Sequence, residues 1–127
     1  MLPPDNLFQL ILKAVEAEPH RLSMHHYHEL HGREAISRAD IQHPECKHCL
    51  LGWVVRFTSH ACGAEQFGWV SRGRDPGDLA NEILVNGGKQ PLPSAVVFAD
   101  VPDALRTLRH LAAQERQKEV GYGLSIN

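Results

Sequence analysis

From His43 to Trp53 the chain reads His-Pro-Glu-Cys-Lys-His-Cys-Leu-Leu-Gly-Trp, which sets two thiols, two imidazoles and a turn-forming proline directly before an apolar segment. Thiolate sulfur and imidazole nitrogen suit a tetrahedral closed-shell cation, so Cys46-x-x-Cys49 is half of a zinc site once two further ligands are found. His43 and His48 flank the pair. His28 and His31 offer an alternative set, at i, i+3 spacing on an expected short helix. His60 and Cys62 are worse placed, because in one continuous helix over residues 49 to 61 Cys49 and Cys62 would lie roughly 20 Å apart, too far for a shared ion. The simpler alternative needs no metal: Cys46 and Cys49 are reduced thiols that help seat a helix start. Redox use of Cys-x-x-Cys requires strands alternating with helices around it, and almost no strand pattern surrounds this one.

Nine histidines are present, and His20, His25, His26, His28, His31, His43 and His48 fall between residues 20 and 48. Protonating all nine would carry the formal charge from -2 to +7, so surface charge depends on pH, although solvated histidines need no purpose. At -2 there is no global positive field to hold nucleic acid. Arg106, Arg109, His110, Arg116 and Lys118 give the last helix a basic side, diluted by Asp103, Glu115 and Glu119 and best read as a solvated face. Three cysteines without an export signal argue against a disulfide framework. No apolar run approaches the roughly 20 residues needed to span a bilayer, and the expected location is the cytoplasm.

At 127 residues with 43% hydrophobic content, one domain with one core is expected, burying roughly two-thirds of the surface its unfolded chain exposes. A first helix follows Pro3-Pro4, with Asp5 as its cap, Leu7, Leu10, Ile11, Ala14 and Val15 on one face, and Pro19 as its stop. A short second helix is predicted from Ser23 through His31, with Gly32 as terminator. Residues 33 to 45 read as a loop with one helical turn. From about His48 to His60–Gly63 the nearly unbroken apolar segment predicts the central buried helix, and Gly52 inside it suggests another segment crossing close by. Phe67, Trp69 and Ser71 alternate as a short strand or extended loop would. Asp75-Pro76-Gly77-Asp78 opens a helix that Asn86-Gly87-Gly88 closes, Ser94 caps a short segment, and Asp100-Val101-Pro102-Asp103 opens the last helix. Leu105, Leu108, Leu111 and Ala112 form its inner face, and residues 119–127 are expected to be a mobile tail.

These residues resemble a family of small, mostly helical proteins of unknown function found in bacteriophages and bacterial genomes. Its pattern is an amphipathic helix, an Asn-Pro-Glu-like turn, a Met-x-x-Trp step, Cys-Gly-Thr-x-x-Cys-x-Ala-Gly-Trp, a helix ending in Leu-Gly and a closing helix rich in Ala and Leu. Glu18-Pro19-His20 is similar to the turn, Ser23-Met24-His25-His26-Tyr27 to the Met step with Tyr27 in place of tryptophan, and Cys49-Leu50-Leu51-Gly52-Trp53 to the second half of the cysteine motif. Residues 78–84 and 104–111 are similar to the later helices, so the likeness spans most of residues 7 to 113. The family's first cysteine would fall near Pro44, whereas this chain has Cys46.

The expectation is therefore an all-α domain, a bundle of about four main helices around the Leu50 to Phe57 helix, with room for one short extended segment. No nucleotide loop or catalytic triad spacing is found, which points away from an enzyme. The leading functional expectation, implied by the resemblance, is a small protein-binding or regulatory module of phage or mobile-element type with no cofactor, for which inhibition of a host system is one role. The rival is a structural zinc module held by Cys46, Cys49, His43 and His48, with His28 and His31 as alternative ligands.

Overall fold

The computed structural model describes residues 3–35, 37–62, 76–96 and 98–126. Helix α1, Leu7–Ala17, buries Leu7, Phe8, Ile11 and Val15 along one face and stops two residues before Pro19. The expected Asp5 cap is not used. The N-cap position is Asn6, which makes no side-chain cap bond; the carboxylate of Glu115 instead accepts the Phe8 N–H at 3.0 Å and the Gln9 N–H at 2.9 Å. A distant acid thus satisfies two of the open amides that begin this helix.

An all-α architecture is overturned between residues 23 and 48. Strands β1 (His28–Leu30), β2 (Arg33–Glu34) and β3 (Lys47–His48) form a three-stranded antiparallel sheet in the order β2-β1-β3. The predicted helix over 23–31 does not form. A stretch that short cannot repay helix nucleation unaided, and the backbone at its end reverses: His31 (φ 53°) and Gly32 (φ 79°) both take left-handed geometry, the requirement of a tight two-residue hairpin loop. Leu30 accordingly pairs with Arg33, and His28 with His48. The single helical turn expected between 33 and 45 is α2, Arg38–Ile41, held by the Ser37 hydroxyl accepting the Asp40 N–H and by fully buried Ile41.

Helix α3, Leu50–Cys62, is continuous, and Leu50, Leu51, Trp53, Val54 and Val55 are all buried. Complete burial of such side chains contributes about 1.5–3 kcal/mol each, which makes α3 the axis of the core. The suspected crossing at Gly52 is present: a Cβ there would lie 1.9 Å from the carbonyl oxygen of Tyr27. That carbonyl also accepts the Cys49 N–H, so β1 is seated on the first turn of α3.

Two further helices complete the core, and the expected 67–71 strand and Asp75 cap lie outside the described residues. Helix α4, Pro76–Asn86, turns Leu79, Ala80, Ile83 and Leu84 inward against α3. It closes with Lys89 N–H on Leu84 O and Gly88 N–H on Val85 O, Gly88 supplying the left-handed residue (φ 76°) that this double closure requires. Helix α5, Val101–Ile126, is capped as expected by Asp100, which accepts the Asp103 N–H. Ala104, Leu108, Ala112 and Glu115 bury one stripe of it against α1, while Leu105 and Leu111 are only partly buried.

Candidate functional site

The hairpin turn and the turn after α2 bring three metal-binding side chains together. His31 stands at the hairpin tip, and His43 and Glu45 flank Pro44 in the turn between α2 and β3. Among the described residues they are the one group of three or more such donors whose ligand atoms all lie within 4.8 Å of one another. The two imidazoles stand edge to face, 5.7 Å between ring centres. His31 and Glu45 are exposed and His43 is partly buried. Two imidazoles and a carboxylate are a zinc ligand set that leaves a coordination position open. Nδ1 of His43 accepts the Glu45 N–H at 3.0 Å, so the neutral ring carries its proton on Nε2. A metal must displace either that proton or that N–H, with adjustment of the 43–46 turn.

The other expected ligands lie elsewhere. Cys46 is fully buried, which pushes its thiol up to about 11, a pKa at which thiolate is scarce near neutrality. Cys49, also buried, accepts the Gly52 N–H at 3.4 Å within the first turn of α3. His48 does not join His43. It turns inward and meets His28 across the β1–β3 pair, Nδ1 to Nδ1 at 2.7 Å, one nitrogen donating its proton to the other.

This imidazole pair is 1% exposed at His28 and 0% at His48, and it belongs to a larger buried cluster. The His48 ring lies 4.6 Å from Trp53, and the guanidinium of Arg21 covers Trp53 at 5.2 Å while its Nε donates to Cys46 O. Arg56 follows Trp53 by one turn on α3. Among the described residues, five buried side-chain atoms in this cluster have no hydrogen-bond partner: Arg21 Nη2, His28 Nε2, His48 Nε2, Trp53 Nε1 and Arg56 Nε. A buried unsatisfied polar group costs about 1–3 kcal/mol, so the concentration of five in one place demands an explanation. Desolvation, with Arg56 nearby, lowers His28 to about 4; desolvation, with His28, Arg21 and Arg56 nearby, lowers His48 to about 2. Both rings are neutral at pH 7. Desolvation and the charge of Arg21 also lower Arg56.

A groove of about 830 Å³ lies beside Phe8, Lys89, Leu111 and Glu115. Its acid is already engaged, since Glu115 also accepts from Lys89 Nζ at 2.8 Å. The basic residues Arg106, Arg109, His110, Arg116 and Lys118 are all exposed on α5, with Arg106 paired to Asp103.

Glu45 was not singled out by sequence reasoning, although its i+2 position from His43 across a proline was a usable signal. Arg21 and Arg56 gave none, because only the tertiary fold brings the 19–21 turn onto α3. No protein-family model matches this chain, and no curated protein or solved structure matches it. Among the described residues no helix is long and apolar enough to cross a membrane.

Proposed function

We propose that this chain is a small metal-binding protein that takes a zinc-like divalent cation on His31, His43 and Glu45. The observation that carries the reading is the convergence of these three donors at the tip of the sheet. Chemically, two neutral imidazoles and one carboxylate offer nitrogen and oxygen to a borderline cation and leave room for a further ligand from water or from a partner. The deprotonated nitrogen required of His43 makes affinity fall with acid. Zinc titration of tag-free protein, followed by calorimetry, tests it. Binding should disappear in His31→Ala and in His43→Ala and survive in the Cys46→Ser/Cys49→Ser double variant. Zinc binding that follows the cysteines instead would overturn it and favour the buried thiol set.

A second reading, binding of a protein partner by a regulatory module of phage or mobile-element type, is favoured by Phe98. This large aromatic is 86% exposed, and Val85 and Val101 are also exposed. It is tested by comparing proteins captured by the parent chain and by Phe98→Ser: a species lost with the variant supports it, and identical recovery removes it. Either reading carries a cytoplasmic location, which the thiol state of buried Cys46 supports.

A further inference from the structure

We infer that the buried donor cluster around Trp53 is a binding site for a phosphate group, reached from the side of Arg21 and Arg56. The inference is independent of the metal centre. Among the described residues Arg21 Nη2, Arg56 Nε and Trp53 Nε1 are buried N–H donors without acceptors. They come from two elements, the 19–21 turn and α3, with Arg21 lying over the indole and Arg56 one turn beyond it. Indole N–H and guanidinium N–H groups can only donate, so what satisfies them must be an acceptor.

Charge narrows the choice. Arg21 and Arg56 bring two positive charges, and among the described residues the one carboxylate paired to either is that of Glu18, at 3.6 Å from Arg21 Nη1 and itself half exposed. A dianion is the natural complement, and guanidinium groups recognise phosphate oxygens through charge-assisted bonds. His48, whose ring lies 4.6 Å from that of Trp53, adds one more polar atom. Its Nδ1 is used by His28, so its Nε2 bears either a hydrogen or a lone pair, according to which ring carries the shared proton. Monohydrogen phosphate serves both cases, because its oxygens accept and its one O–H donates. A carboxylate, planar and without a proton near neutral pH, serves only one. The ligand would tie the 19–21 turn, β3 and α3 together at the point where the molecule leaves its own donors unmet.

The test is a titration of the whole chain with inorganic phosphate in the presence of a chelator, following the Trp53 indole N–H and the Arg56 Nε–H by nitrogen–proton correlation NMR. Chloride at matched ionic strength is the control, and phosphoserine is run in parallel. A saturable shift of both signals that chloride does not reproduce, weakened about tenfold or more in Arg56→Met and less in Arg56→Lys, is the expected result. Saturation by phosphoserine but not by inorganic phosphate would assign the ligand as a phosphomonoester; saturation by inorganic phosphate alone would assign free phosphate. No saturable shift with either probe, or binding unchanged in both Arg56→Met and Arg21→Met, would overturn the inference. Should Arg21→Met fail to fold, the two Arg56 variants decide it.

Discussion

Glu115 on α5 and the His28–His48 pair on the sheet are both polar groups withdrawn from water, yet their surroundings differ in kind. Around Glu115 the molecule supplies the Phe8 and Gln9 amides and the Lys89 ammonium, a counter-charge and two donors for one carboxylate. Around the imidazoles it supplies one mutual hydrogen bond and otherwise further donors. The first arrangement is what a buried charge needs if its role is to hold two helices together. The second costs stability as it stands, and natural proteins keep such costs at places that bind or react.

The largest expected effect sharpens the satisfied side of this contrast. Glu115→Ala removes the counter-charge of Lys89, which keeps only the Asp5 carbonyl, and leaves two helix amides without their acceptor, and urea unfolding should report a loss of about 3–5 kcal/mol. Next comes the junction that seats the sheet on α3: Gly52→Ala drives a methyl into the Tyr27 carbonyl, for a loss of about 3 kcal/mol measured in the same way. On the unsatisfied side, His48→Leu alone strands the His28 Nδ1 and should cost about 1–3 kcal/mol. The double change His28→Leu/His48→Leu removes both partners at once, and its cost should be clearly smaller than that of His48→Leu alone. If the double variant were instead as damaging as Glu115→Ala, the two clusters would not differ in kind. The smallest effect is expected at Phe98→Ser, within about 0.5 kcal/mol, because the side chain touches little.

The contrast also explains what the sequence could reveal. Helices α1, α3, α4 and α5 were legible because periodic apolar residues, prolines and capping acids act within one turn of each other. The burial of Leu50 to Val55 and the crossing at Gly52 followed from composition alone, since a glycine in a buried helix marks close approach. The sheet was missed because Met24, Tyr27 and Leu30 imitate helical spacing over a length where periodicity has little power, and because His31 rather than Asn precedes the turn glycine. Of the proposed metal ligands, His31 and His43 were among the candidates, but their partnership with each other and with Glu45 depends on how two turns meet. His48 was read with His43 as a donor beside Cys46 and Cys49, whereas the strand pairing sets it against His28. Glu115 was read as surface dilution of a basic face, although its stripe with Ala104, Leu108 and Ala112 placed it inward.

His28 and His48 are held neutral in the interior, and among the described residues no acid favours a proton on either ring. Because both folded pKa values lie below the unfolded value near 6.5, the titration of neither ring changes stability above that pH; below it the unfolded chain takes up protons that the folded chain refuses, and stability falls toward the folded values of about 4 and about 2. Urea unfolding in phosphate-free buffer at pH 7 and at pH 5 measures this directly. The parent chain should lose about 4 kcal/mol over that interval, roughly 2 kcal/mol from each ring, and His28→Leu/His48→Leu should lose far less. Equal losses in the two proteins, or none in the parent, would contradict it.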